Sequence, residues 1–145
     1  MDGEASQKYL AQQVMSASPA KLVAMLYERA IALLHDAVGA IEAGDVERRW
    51  RANSKATEVI GELWQALDMD AGGEIAENLN RLYGFMMMHL TMVDAENSAQ
   101  AARDVIRLLE PLRRSWHELA EGEGAKGQSK SGSDNPRSLQ ISLSA

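Results

Sequence analysis

Cysteine is absent from this chain, phenylalanine occurs once and proline three times in 145 residues. Without cysteine there is neither a disulfide framework nor a thiol nucleophile. Positive charge is in deficit, with a net charge of −6. Nucleic-acid affinity comes largely from clustered Lys and Arg, so no nucleic-acid partner is expected, and "ERRWR" at 47–51 reads as a solvated helix face. Long apolar runs are missing too. Nothing approaches the ~18 uninterrupted apolar residues of a spanning helix, and the N-terminus has no continuous apolar signal core. A soluble, cytoplasmic protein without membrane insertion is the expectation.

Sites of familiar chemistry are also lacking. No phosphate-cradling glycine loop, nucleophile elbow or H-E-x-x-H occurs. A di-metal carboxylate bundle needs Glu-x-x-His, but the residues three before His35, His89 and His117 are Ala32, Met86 and Arg114. "LDMDAGGEIAENL" at 67–79 imitates a calcium loop only in part. With Asp68 as position 1, Asp70 and Gly73 fit, but position 5 is Gly72 and the closing bidentate Glu is replaced by Leu79. It reads as a turn, with Gly72 or Gly73 supplying a left-handed residue. No catalytic residue, cofactor or metal is expected.

What the chain does have is Ala, Leu, Glu, Arg and Met, a helical composition, and a single proline, Pro111, between Pro19 and Pro136. Four segments repeat at helical period. The first opens with Ser18 as cap and Pro19 at the first helical position, carries Leu22, Leu26, Leu33, Ala37 and Ile41 on one face, and stops at Gly44. The second spans about 46–67, capped by Asp45, with Ala56, Ile60, Leu63 and Leu67 inside. The third starts near Gly73 with Ile75, Leu79, Leu82, Met86, Leu90 and Val93. The fourth follows "DAEN" with Ala101, Val105, Leu108, Leu112, Trp116 and Leu119, and Pro111 is expected to kink it near Arg107. Short connections make an all-α antiparallel four-helix bundle the economical fold. The predicted organisation is an N-terminal cap segment at 1–17, the bundle at 18–120 and a flexible polar, glycine-rich tail at 121–145.

Apolar surface exceeds what that core needs. Tyr83 and Met87 extend the third helix's stripe on one side, and Phe85, Met88 and Met92 on the other. Tyr27, Ile31 and Val38 broaden the first helix, and Trp50 and Trp64 stand off the second. Any one of these residues fits a central bundle helix. Taken together they suggest an adaptable groove, because methionine can repack around a helical guest. A rival reading is a histidine phosphotransfer or signalling bundle using His35 on the polar face of the first helix. It lacks the lysine that such sites carry near the histidine.

"YLAQQVMSASPAKLVAMLYERAI" at 9–31, "LDMDAGGEIAENLNRLYGFM" at 67–86 and "LLEPLRRSWHEL" at 108–119 together resemble the flagellin-specific export chaperone family, FliS. The order of the motifs is kept over about 9–119. Gln12 and Ser16 depart from the usual Asn and Thr, and Pro111 interrupts the last helix. The resemblance implies a cytoplasmic bundle that is not an enzyme. It would hold the disordered C-terminal segment of flagellin, prevent premature polymerisation, and present the subunit to flagellar type III export gate components. A homodimer is left open. The expected groove lies between the second and third helices and is lined by Ile60, Leu63, Trp64, Tyr83 and Met87. Tyr9, Leu10, Val14 and Met15 are expected to cap it when empty. In this reading "LDMDAGG" is the turn between those helices, with Asp70 a capping or near-terminal acid for the third.

Overall fold

The computed structural model describes residues 17–129, with side chains as far as 122. The expected cap residues Tyr9, Leu10, Val14 and Met15, and the chain from 130 onward, lie outside the described residues. Four helices follow one another: α1 (Pro19–Ala43), α2 (Val46–Gln65), α3 (Gly73–Ala95) and α4 (Ala99–Ser129). No strand occurs among the described residues.

Local chemistry explains each boundary. Ser18 Oγ accepts from the Lys21 amide at 3.1 Å, so the cap satisfies one free donor of α1, and Pro19 occupies a position whose amide has no helical partner. Gly44, at φ 73°, turns the chain left-handed, and the Asp45 amide then closes on the Ala40 carbonyl at 2.8 Å. Asp45 Oδ1 accepts from the Arg48 amide and opens α2. In the next turn it is Asp68 that acts. Its Oδ1 accepts from the amides of Asp70 and Ala71 at 3.0 and 2.9 Å, while Asp70 caps nothing and Glu74 is the first-turn acid of α3. The aspartate pair is therefore an Asx-type turn, because the short Asp68 side chain reaches amides two and three residues on. Gly73 supplies the positive φ, 56°. Ser98 Oγ accepts from the Ala101 amide at 3.0 Å at the start of α4.

Short connections place successive helices antiparallel and side by side, and α4 closes the bundle against α1. The packing is uneven. α1 lies tightly between α2 and α4, whereas α3 touches both more sparsely. Side-chain size explains the difference. The buried face of α1 carries Ala20, Ala24, Ala30, Ala37 and Ala40, and small residues are buried on both neighbours as well, Ala52 and Ala56 on α2 and Ala101 and Ala102 on α4. α3 presents Tyr83, Met86, Leu90 and Val93, which hold the backbones apart.

The core stripes differ from those expected. Leu22, Leu26, Leu33 and Ile41 are half-buried flanks of α1, and Tyr27, Ile31 and Leu34 sit with the alanines at its centre. Ile75 is exposed, while Leu79, Leu82, Leu108, Leu112 and Leu119 are half-buried. α4 passes through Pro111 without interruption and continues past Glu121 to Ser129. Pro111 and Arg107 are both exposed, so the carbonyl left without its helical partner is on the solvent side. Helix formers between the glycines of 120–129 suit the extension.

"ERRWR" is only partly a solvated face. Arg48 donates to Asp36 Oδ1 through Nε and Nη2 at 2.8 and 2.6 Å, tying α2 to α1. Arg49 is buried, and donates to Asp94 Oδ1 at 3.1 Å and to Asn97 Oδ1 at 2.8 Å. It thus clamps the end of α3 and the turn into α4, where Asn97 takes a positive φ of 52°. Replacing Arg49 with Ala leaves Asp94 and Asn97 short of a donor, and is expected to lower stability by about 1–3 kcal/mol. Thermal unfolding against Arg51→Ala, an exposed neighbour expected to change little, checks this.

Candidate functional site

The sparse contact between α2 and α3 leaves a groove along their seam. One end is a depression of about 380 Å³ lined by Gly61, Trp64, Gln65, Leu67, Met69, Asn80 and Met87. The other, about 430 Å³, is lined by Asn53, Ser54, Thr57, Glu58, Met87, Leu90, Thr91 and Asp94. Met87 belongs to both and joins them.

The walls are built by complementary choices on the two helices. Trp64 spans the seam, its indole Nε1 donating to Asn80 Oδ1 of α3 at 2.7 Å. Its ring lies over Gly84, where an added Cβ would sit 3.8 Å from it. Opposite, the Met87 methyl comes within 3.6 Å of a Cβ placed on Gly61. A glycine on each helix therefore lets a large side chain of the other lie across it.

The five expected lining residues divide. Trp64 and Met87 are half-buried and line the groove. Ile60, Leu63 and Tyr83 are core, at 0, 6 and 2% exposure. The Tyr83 hydroxyl is bonded to that of Tyr27 on α1 across the bundle. Burial raises the ionisation of both phenols above the ordinary tyrosine range. For Tyr27 the neighbouring Tyr83 adds to the rise and Trp116 partly offsets it. Both are thus held neutral as a hydrogen-bonded pair. Tyrosine in a helical stripe is ambiguous in sequence because its ring and its hydroxyl have opposite preferences. Leu67, Met69 and Asn80 also line the groove, and helical periodicity does not mark them for it. Only Gly61 inside α2 and Gly84 inside α3 hint at a close crossing.

The remaining surplus apolar surface lies elsewhere. Met88 and Phe85 are 69 and 49% exposed. The Phe85 ring sits 4.2 Å from that of His89, which faces Asp104 of α4 at 3.6 Å. Trp50 is also exposed, and so is His35 on α1. No group of three or more His, Asp or Glu side chains poised for a metal ion occurs among the described residues. No helix among them is long and apolar enough to cross a membrane.

The family model described as "Flagellar protein FliS" matches residues 2–123. The chain belongs to the FliS family. Relatives agree: it is 40% identical to the flagellar secretion chaperone FliS of Salmonella typhimurium over 108 residues, 74% of this chain and 80% of that protein. It is 34% identical to the chaperone of the same name from Vibrio cholerae over 107 residues, 74% and 79% of the two chains. The flagellar secretion chaperone FliSB of Pseudomonas aeruginosa is 34% identical over 104 residues, 72% and 82%. The family is one of chaperones, not of enzymes.

Two measurements separate groove from core. Tyr83→Phe leaves the buried Tyr27 hydroxyl without its partner and should cost about 1–2 kcal/mol of stability, whereas Met87→Asp should retain the wild-type far-ultraviolet spectrum with a smaller fall in melting temperature. Because the folded phenols ionise above their unfolded value, the stability they contribute is complete below about pH 10 and falls as pH rises beyond it, where the unfolded tyrosines lose protons first. Denaturant midpoints across that range should fall less steeply in the Tyr27→Phe, Tyr83→Phe double variant.

Proposed function

We propose that this chain is an export chaperone, not an enzyme, which binds the C-terminal segment of flagellin in the α2–α3 groove. The carrying observation is the seam itself: two depressions joined at Met87, lined by Trp64 of α2, Met69 of the turn and Met87 of α3, the helix packed less closely than its neighbours. The similarity to flagellar secretion chaperones supports the choice of partner.

A guest that is disordered when free suits such a groove. It gains helix on docking, buries an apolar face against Trp64 and Met87, and its ordering cost moderates the affinity enough for later release. Holding that segment keeps the subunit from polymerising early, in the cytoplasm, until it reaches the flagellar type III export gate. Tyr9, Leu10, Val14 and Met15 act as a cap over the empty groove and move aside on loading. No bond is made or broken, and no cofactor or metal takes part. Membership of the FliS family gives no support to phosphotransfer through His35.

Titrating the protein with the last ~50 residues of flagellin should give a negative heat-capacity change and a gain of helix. Met87→Asp should weaken that binding by about tenfold or more, since the carboxylate would have to be desolvated against an apolar guest. Removal of residues 1–15 should raise dye binding by the free protein. Absence of heat with this segment, while whole flagellin still binds, would refute the assignment.

A further inference from the structure

Trp50 lines neither depression, yet it belongs to the face of α2 that forms them. At about 100° per residue, Ser54, Thr57, Gly61 and Trp64, which line the groove, all fall within about 40° of it. Trp50 stands one turn beyond Ser54, past the Asn53 end of the seam. It is 57% exposed, and unlike Trp64 it does not pack on the core.

An indole left in water is apolar area that folding has not used. When a partner covers such a ring it contributes strongly to binding, because it buries a large surface with few rotamers to fix. Trp50 and Trp64 lie about four turns, or about 21 Å, apart along α2. Between them the same face carries Ser54, Thr57 and Gly61, none of them large. The surface is therefore a saddle, with an indole at each end and a low floor that a helix lying along the seam can occupy. Its middle is also the more polar part, lined by Glu58, Thr91 and Asp94, so apolar anchoring falls to the two ends. A short turn of chain cannot touch both rings. A helix of about 14 residues can, and positions that far apart return to the same side of it within about 40°.

We propose that Trp50 is a second anchor of the groove, and that the guest docks as one helix along α2, with one apolar residue on Trp64 and another, about 14 positions away, on Trp50. This rests on the groove reading given above and adds to it the length and spacing of the segment that binds. A guest whose apolar residues span only two turns reaches a single indole and binds more weakly.

The test uses the full chain, with its tryptophans replaced biosynthetically by 5-fluorotryptophan, and the same C-terminal flagellin segment. Trp50→Phe and Trp64→Phe assign two of the fluorine resonances, and Trp116, buried in the core, serves as the internal reference. On saturation the Trp50 and Trp64 resonances should both shift. Trp50→Ala should weaken binding about tenfold while leaving the melting temperature nearly unchanged, since this ring does not pack on the core. Replacing the apolar residues of the guest by alanine one at a time should find one position that cancels the Trp64 shift and another, about 14 residues away, that cancels the Trp50 shift. If Trp64 shifts while Trp50 stays in place and Trp50→Ala binds as the wild type does, the guest occupies the groove and the second anchor is refuted. If the two cancelling positions lie within one turn of each other, the single lengthwise helix is refuted. If the Trp50 resonance moves only as the free protein is concentrated, a second copy covers the ring and the assignment is overturned. If neither indole shifts and Met87→Asp binds as the wild type does, the groove reading falls, and the anchor with it.

Discussion

Everything distinctive here depends on how closely α1 can approach its two neighbours. Five alanines on its buried face, with further alanines buried on α2 and α4, let α1 pack closely against both neighbours. α3 cannot follow, because its Tyr83, Met86 and Leu90 occupy the space between it and the centre. A bundle with uniformly large core residues would have four similar seams. This one has two tight seams and a looser side, and the groove is the looser side. Graded residue size thus leaves apolar surface open along one side of the folded bundle.

A loosely packed helix still has to be held in place, and polar contacts do that at its ends. Arg49 reaches from α2 to Asp94 and Asn97, the Asn53 amide reaches to Leu90 and Asp94, and Trp64 reaches to Asn80 near the other end. Each is directional and partly or wholly sheltered, so they fix position with little apolar contact. Between them the seam is occupied chiefly by Met87, whose unbranched thioether can change rotamer at low cost.

Helix boundaries were the most legible part of the chain. Ser18-Pro19, Gly44-Asp45 and the start at Gly73 mark their helices through atoms within a few residues, so no tertiary knowledge is required. The four-helix arrangement followed from those boundaries and the short connections. Which face is central was harder to read, because hydrophobicity ranks leucine above alanine whereas close packing ranks them the other way. Leucine periodicity therefore points to Leu22, Leu26 and Leu33 as the centre of α1, where Ala24 and Ala30 are the residues fully buried. The candidate site was half legible. Trp64 and Met87 were found as apolar surplus, but Tyr83 needed the position of Tyr27, 56 residues away, before its hydroxyl could be seen to belong inside. Arg49 and Asn53 were invisible for the same reason, since a polar residue is read as surface until its partner is known.

The bond between Tyr27 and Tyr83 has one further consequence. It joins the two helices that lie opposite each other, and it does so through side chains that can meet at only one azimuth of α3. Turning α3 by a single residue, about 100°, would carry Tyr83 out of reach and bring a neighbouring residue into the core. Met87 faces α2 and Phe85 lies toward α4 because that phenol pair indexes the helix about its own axis. A contact in the middle of the bundle thereby decides which of the surplus apolar side chains look into the groove and which look out of the molecule.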